Sequence, residues 1–83
     1  MEIKVLGTGC SKCKVLWVEI QKAVTAAGVK ADLEKVEDIE RIMSYDVMMT
    51  PALVIDGEVK SSGRIPAMPE MVTWIMNAAA KSA

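Results

Sequence analysis

The sequence contains no histidine. That removes imidazole as a general acid or base and removes Cys/His zinc sites with it. Cysteine is scarce, with Cys10 and Cys13 the only two in 83 residues. A staple closing so short a loop takes little entropy from the unfolded chain, so a purely structural disulfide is not the expectation. No run approaches the ~20 apolar residues needed to span a bilayer. The first residues, Met1 to Leu6, lack the charged region and long apolar stretch of a signal peptide, so a cytoplasmic location is expected. Charge of one sign is lacking too: ten basic and eleven acidic residues give a net charge of −1. Such a balance offers no field for nucleic acid or an anionic membrane, and neither is expected as a partner. Repeats, linkers and low-complexity segments are absent.

What the chain does have is apolar residues, at 52%. A domain of this size buries roughly 60–65% of the surface of its unfolded chain, and this composition suffices for a core. Residues 1–83 are expected to form a single domain, acting as a monomer.

Ile3 to Leu6 is a short apolar run followed by Gly7-Thr8-Gly9, and reads as a strand and a loop. From Cys10 to Ala27 the pattern is helical, with Leu16, Ile20, Ala23, Val24 and Ala27 on one face and Gly28 as C-cap. Lys30 to Val36 alternates like a strand. Glu37 to Tyr45 reads as a shorter helix with Ile39, Ile42 and Met43 on its apolar side. Glu37 and Asp38 are well placed for its dipole. Asp46 to Thr50 is a loop, Ala52 to Ile55 a buried strand, Asp56-Gly57 a hairpin turn and Glu58 to Ser62 the returning strand. After a turn over Gly63 to Met68, Pro69 opens a last helix at its first position, with Val72, Ile75, Met76 and Ala79 as its stripe. The order β-α-β-α-β-β-α predicts an α/β fold. A parallel, right-handed βαβ unit and an antiparallel hairpin share one mixed four-stranded sheet, with helices on both faces.

Cys10-Ser11-Lys12-Cys13 stands where the first strand hands over to a helix. A cysteine there faces unpaired backbone N–H groups and the positive end of the helix dipole, and both favour thiolate. Lys12 and Lys14 add positive charge. An exposed first thiolate and a second thiol one turn along suit thiol–disulfide exchange, in which one sulfur attacks and the other releases the partner. Metal binding and an inert pair are the competing readings. Pro51, directly before a buried strand, is the second signal, since proline cannot donate to a ladder. Either the Thr50–Pro51 bond is cis in a tight turn, or a trans proline starts an edge strand.

Taken together, the cysteine motif after the first strand and Thr50-Pro51-Ala52-Leu53-Val54-Ile55-Asp56-Gly57-Glu58-Val59 resemble the thioredoxin superfamily. More narrowly, they resemble the small thioredoxin-like redox-active disulfide proteins of archaea and bacteria. The resemblance covers nearly the whole chain. It implies the sheet order 2-1-3-4, with Cys10 as nucleophile, Cys13 as resolving thiol and a cis Thr50–Pro51 bond against the disulfide. In this family the backbone beside that proline pairs with an extended substrate segment. Ser11 and Lys12, between the cysteines, are expected to meet the substrate together with Thr50 and Pro51. The resemblance further implies an enzyme that reduces protein disulfides, needing no cofactor beyond the Cys10–Cys13 disulfide and no metal. A flavin-dependent thioredoxin reductase or another protein would supply the electrons.

The chain also departs from its relatives. Typical thioredoxins carry Trp-Cys-Gly-Pro-Cys, and neither that tryptophan nor that proline is present. The buried acid of typical thioredoxins has no counterpart in Ile3 to Leu6. The glutaredoxin glycine pair is missing from Ser61 to Pro66. The main rival is a soft-metal module, for copper or zinc, using the same cysteine pair. Copper chaperones, however, place a methionine where Thr8 stands and follow the order β-α-β-β-α-β. A non-catalytic interaction domain is the third class. Most of the seven methionines are expected to fill the core, with Met48 and Met49 the candidates for contact with a protein substrate. Trp17 and Trp74 are expected to pack on the first and last helices.

Overall fold

A computed structural model describes residues 1–82. Its elements are β1 (Glu2–Leu6), α1 (Ser11–Ala27), β2 (Asp32–Val36), α2 (Ile39–Met43), β3 (Ala52–Ile55), β4 (Glu58–Ser62) and α3 (Met68–Ser82). The sheet order is β2-β1-β3-β4, the 2-1-3-4 order expected. β1 runs parallel to β2 and antiparallel to β3, and β4 is antiparallel to β3.

The period of two along β1 divides the core. Ile3 and Val5 face a layer made by Leu16, Ile20 and Ala23 of α1 and Met71 and Ile75 of α3, joined by Leu53 and Ile55 of β3. Leu6 points the other way, into a smaller cluster with Val36, Ile42, Ala52 and Val54. Two helices thus cover one face of the sheet and α2 covers part of the other.

α1 stops where expected, because Gly28 takes φ +69° and donates its N–H to Val24 and Thr25 carbonyls, a left-handed cap that favours glycine. The β3–β4 turn is the expected Asp56-Gly57 pair, both residues at positive φ, matching a type I′ turn. Asp56 also closes the end of β1: its Oδ1 accepts from Glu2 N–H at 2.8 Å, and its N–H donates to Glu2 O at 2.8 Å.

Four expectations shift. β2 starts at Asp32 rather than Lys30. α2 is only five residues long, and just Ile42 of its apolar residues is buried; Ile39 is 61% and Met43 66% exposed. Too short for a full stripe, it presents one side chain to the sheet. Its start is capped by Asp38, whose carboxylate accepts from Glu40 N–H at 3.0 Å. Pro69 is the second helical residue of α3, not the first. The buried face of α3 is Met71 and Ile75, flanked by Met68, Val72, Trp74 and Ala78, so Met76 points to solvent.

β4 carries a feature with no signal in its sequence. Leu53 pairs with Ser61 but Val54 with Val59, so Lys60 is an extra residue. The bulge turns Ser61 inward, where its hydroxyl is buried without a hydrogen-bond partner among the described residues.

Candidate active site

The parallel pairing of β1 with β2 puts the C-terminal ends of both strands on one edge of the sheet, with Leu6 opposite Val36. Gly7 N–H continues the ladder by donating to Val36 O at 2.9 Å. The loop after β1 and the loop after β2 therefore emerge side by side. Functional sites of open α/β sheets gather at such an edge.

Cys10 is the N-cap of α1, exposed, with extended backbone at φ −67° and ψ 167°. Its Sγ accepts from Cys13 N–H at 3.2 Å, and its carbonyl accepts from Lys14 N–H at 3.1 Å. A helix amide thus already points at this sulfur. The first turn of α1 holds no acidic residue, so no carboxylate of the helix itself opposes a thiolate there. Cys13, one turn along, is only 6% exposed. The two sulfurs form a disulfide, with Cα atoms 5.0 Å apart. Ser11 and Lys12 lie exposed on the first turn between them.

Gly7 holds the next part of the site together. A side-chain carbon there would run into Cys13 Sγ and would sit 3.9 Å from Thr50 Cβ. Cys13 and Thr50 therefore flank the same glycine, although they are far apart in sequence. The Thr50–Pro51 peptide is cis. Pro51 is buried and its carbonyl accepts from Gly63 N–H at 2.9 Å, whereas Thr50 is exposed and no backbone hydrogen bond to it is made among the described residues. Met48 is 96% exposed, and Met49 is exposed with its side chain lying against Gly63.

Two residues at this edge were not singled out by the sequence. Gly7 read as ordinary loop. Glu37 read as a solvated helix start, yet its Oε2 lies 3.6 Å from where a Gly9 side-chain carbon would be. The signal for Glu37 was in the topology: a residue directly after β2 must stand beside the loop directly after β1. Glu37 also lines a cleft of about 90 Å³ together with Cys13, Lys14 and Lys35. Lys35 Nζ sits 5.0 Å from the centroid of the Trp17 ring, a cation–π distance, and Trp17 packs half-buried against the core as expected. No group of three or more Cys, Asp or Glu side chains is arranged to hold a metal ion among the described residues, and no helix is long and apolar enough to cross a membrane.

A family model described as a thioredoxin domain matches residues 1–76. A thioredoxin of Methanothermobacter thermautotrophicus is 34% identical over 71 residues, covering 86% of this chain and 92% of that protein. A thioredoxin of Methanocaldococcus jannaschii is 35% identical over 69 residues, covering 83% of this chain and 79% of that one.

Proposed function

This chain belongs to the thioredoxin family and is a thioredoxin-like thiol–disulfide oxidoreductase, and from that premise we propose that Cys10 is its attacking thiol and Cys13 its resolving thiol. In the reduced protein, Cys10 attacks a substrate disulfide and forms a mixed disulfide. Cys13 then attacks Cys10 Sγ, the substrate leaves as a thiol, and the Cys10–Cys13 disulfide remains. The observation that carries the assignment is the asymmetry of the pair: Cys10 is exposed at the helix cap with an N–H aimed at its sulfur, and Cys13 is buried behind it.

Ser11, Lys12 and Thr50 meet the substrate in this reading, and Pro51, whose side chain is fully buried, serves by holding the Thr50 backbone at this edge. The free backbone of Thr50 offers an edge on which an extended peptide can add as a strand, and Met48 beside it supplies an adaptable apolar contact. The 83 residues act as one domain, a monomer of the cytoplasm, reducing protein disulfides. The disulfide is the sole redox group, and a flavin-dependent thioredoxin reductase or another protein renews the dithiol.

The test is equilibration of the full chain with dithiothreitol or glutathione buffers, with the thiols counted by alkylation. A reversible two-electron couple near that of thioredoxin, roughly −270 mV, is expected. A pair that stays reduced in oxidising buffer, or that keeps stoichiometric metal through purification, would overturn the proposal in favour of a soft-metal module.

A further inference from the structure

In thiol exchange the resolving sulfur must lose its proton before it attacks, because the thiolate is the nucleophile. Cys13 is buried, and the residues of β1 that precede it on this edge are Val5 and Leu6, neither of which can take a proton. The cleft beside Cys13 is the place to look for the acceptor. Its charged lining is Lys14 from α1, Lys35 from β2 and Glu37 from the loop after β2. Glu37 is the one carboxylate among them. Asp38, its neighbour, has its carboxylate engaged with the N–H of Glu40. Glu37 makes no ion pair or hydrogen bond among the described residues, so its oxygens are available to water. A cleft of about 90 Å³ has room for a few water molecules between carboxylate and thiol. The carboxylate is exposed and stands beside the cysteine loop, its Oε2 3.6 Å from where a side-chain carbon on Gly9 would be.

We propose that Glu37 accepts the Cys13 proton, through water in this cleft, during resolution of the mixed disulfide. The inference rests on the assignment of Cys13 as the resolving thiol. In the step, the Cys13 sulfur lone pair forms the bond to Cys10 Sγ. The bond between Cys10 Sγ and the substrate sulfur breaks, and its electron pair leaves on the substrate. The proton passes from Cys13 through water to Glu37, and from there to the departing thiolate or to solvent. Lys14 and Lys35 supply positive charge that favours the Cys13 thiolate. Glu37 acts through water and is a positioning and proton-holding residue.

The experiment mixes the reduced full chain with a symmetrical aromatic disulfide whose released thiolate is coloured. The first equivalent of colour reports attack by Cys10, and the second reports attack by Cys13. In Cys13→Ser only the first equivalent is expected. A first phase lost in Cys13→Ser but kept in Cys10→Ser would overturn the assignment of Cys13 itself. In Glu37→Gln the first phase is expected to persist, while the second slows roughly tenfold or more near neutral pH, in keeping with the loss of a proton acceptor. The deficit should close as the pH rises and hydroxide takes the proton, and Glu37→Asp should restore part of the rate. A second phase in Glu37→Gln with the parent rate and pH profile would overturn the role of Glu37 while leaving the cysteine assignment standing. A slowed second phase with an unchanged pH profile would overturn it as well, because a merely structural effect has that signature.

Discussion

At Gly7 the restriction is one of space. Its N–H is tied to Val36 O, and a methyl group on its Cα would occupy the position of Cys13 Sγ. Gly7→Ala should therefore cost about 1–3 kcal/mol, the usual penalty of overpacking a site that cannot yield. It should also push Cys13 away from Cys10. The checks are a denaturant midpoint and the dithiol–disulfide equilibrium, which should both change. A variant with parent stability and parent redox behaviour would show that the glycine is not a spacer. The contrast with the cysteines explains what could be read from the chain. Cys10 and Cys13 are legible because their spacing and their place at a helix start are local facts. The need for Gly7 arises from a sulfur on another element and a threonine 43 positions onward in sequence, so no local pattern announces it. Glu37 lies between these cases: its neighbours follow from strand order once the parallel pair is inferred.

Elements with tight sequence punctuation are legible in the chain. Gly28 ends α1 and Asp56-Gly57 turns the hairpin, because each fixes its own backbone. Elements defined by what they pack against are less legible. The buried stripe of α3 lies one step around the helix from the expected one, since Met71 and Met76 are equally apolar and only the sheet decides between them. The start of α3 yields a prediction of pH dependence. Glu70 is held below the ordinary carboxylate value of 4.5, first by the Arg64 guanidinium that hydrogen-bonds it and next by the Ala67 N–H. The Arg64 contacts are 3.2 and 3.0 Å, and the Ala67 contact is 3.2 Å, the last completing half of a capping box. Because the folded carboxyl is more acidic than the unfolded one, its contribution is present above the unfolded value. It is lost as the pH falls through the lower folded value. Arg64→Ala should move the Glu70 titration upward, toward 4.5, as read from its carboxyl carbon shift. An unchanged titration would mean that the pair is not formed in solution. Both partners are exposed, so the effect on global stability should be small.

For the whole molecule, the two faces of the sheet carry unequal loads. α1 and α3 share one layer with Ile3, Val5, Leu53 and Ile55, while α2 contributes a single buried isoleucine to the other. Of the buried residues in the layer that holds the fold, Val5 alone also lines the cysteine cleft, and the edge bearing the site is left to short loops. That division leaves Cys10, Thr50 and Met48 exposed without weakening the core. It predicts a sharp difference between two methionines on one helix. Met71 is fully buried between the helices and the sheet, whereas Met76 lies mostly in solvent. Met71→Ala should destabilise by roughly 2–5 kcal/mol, the lost transfer energy plus the cavity left behind. Met76→Ala should stay within about 0.5 kcal/mol of the parent. Urea unfolding of the two variants separates them, and the chemistry provides a second reading. In buffers where Met71→Ala remains folded, its Cys10–Cys13 couple should match the parent, because the methionine braces the helix layer and does not line the cysteine cleft. Equal losses of stability in the two variants would mean that α3 is rotated from the packing described. A shifted couple in folded Met71→Ala would mean that the helix layer and the site are coupled, against the division of labour drawn from the sheet.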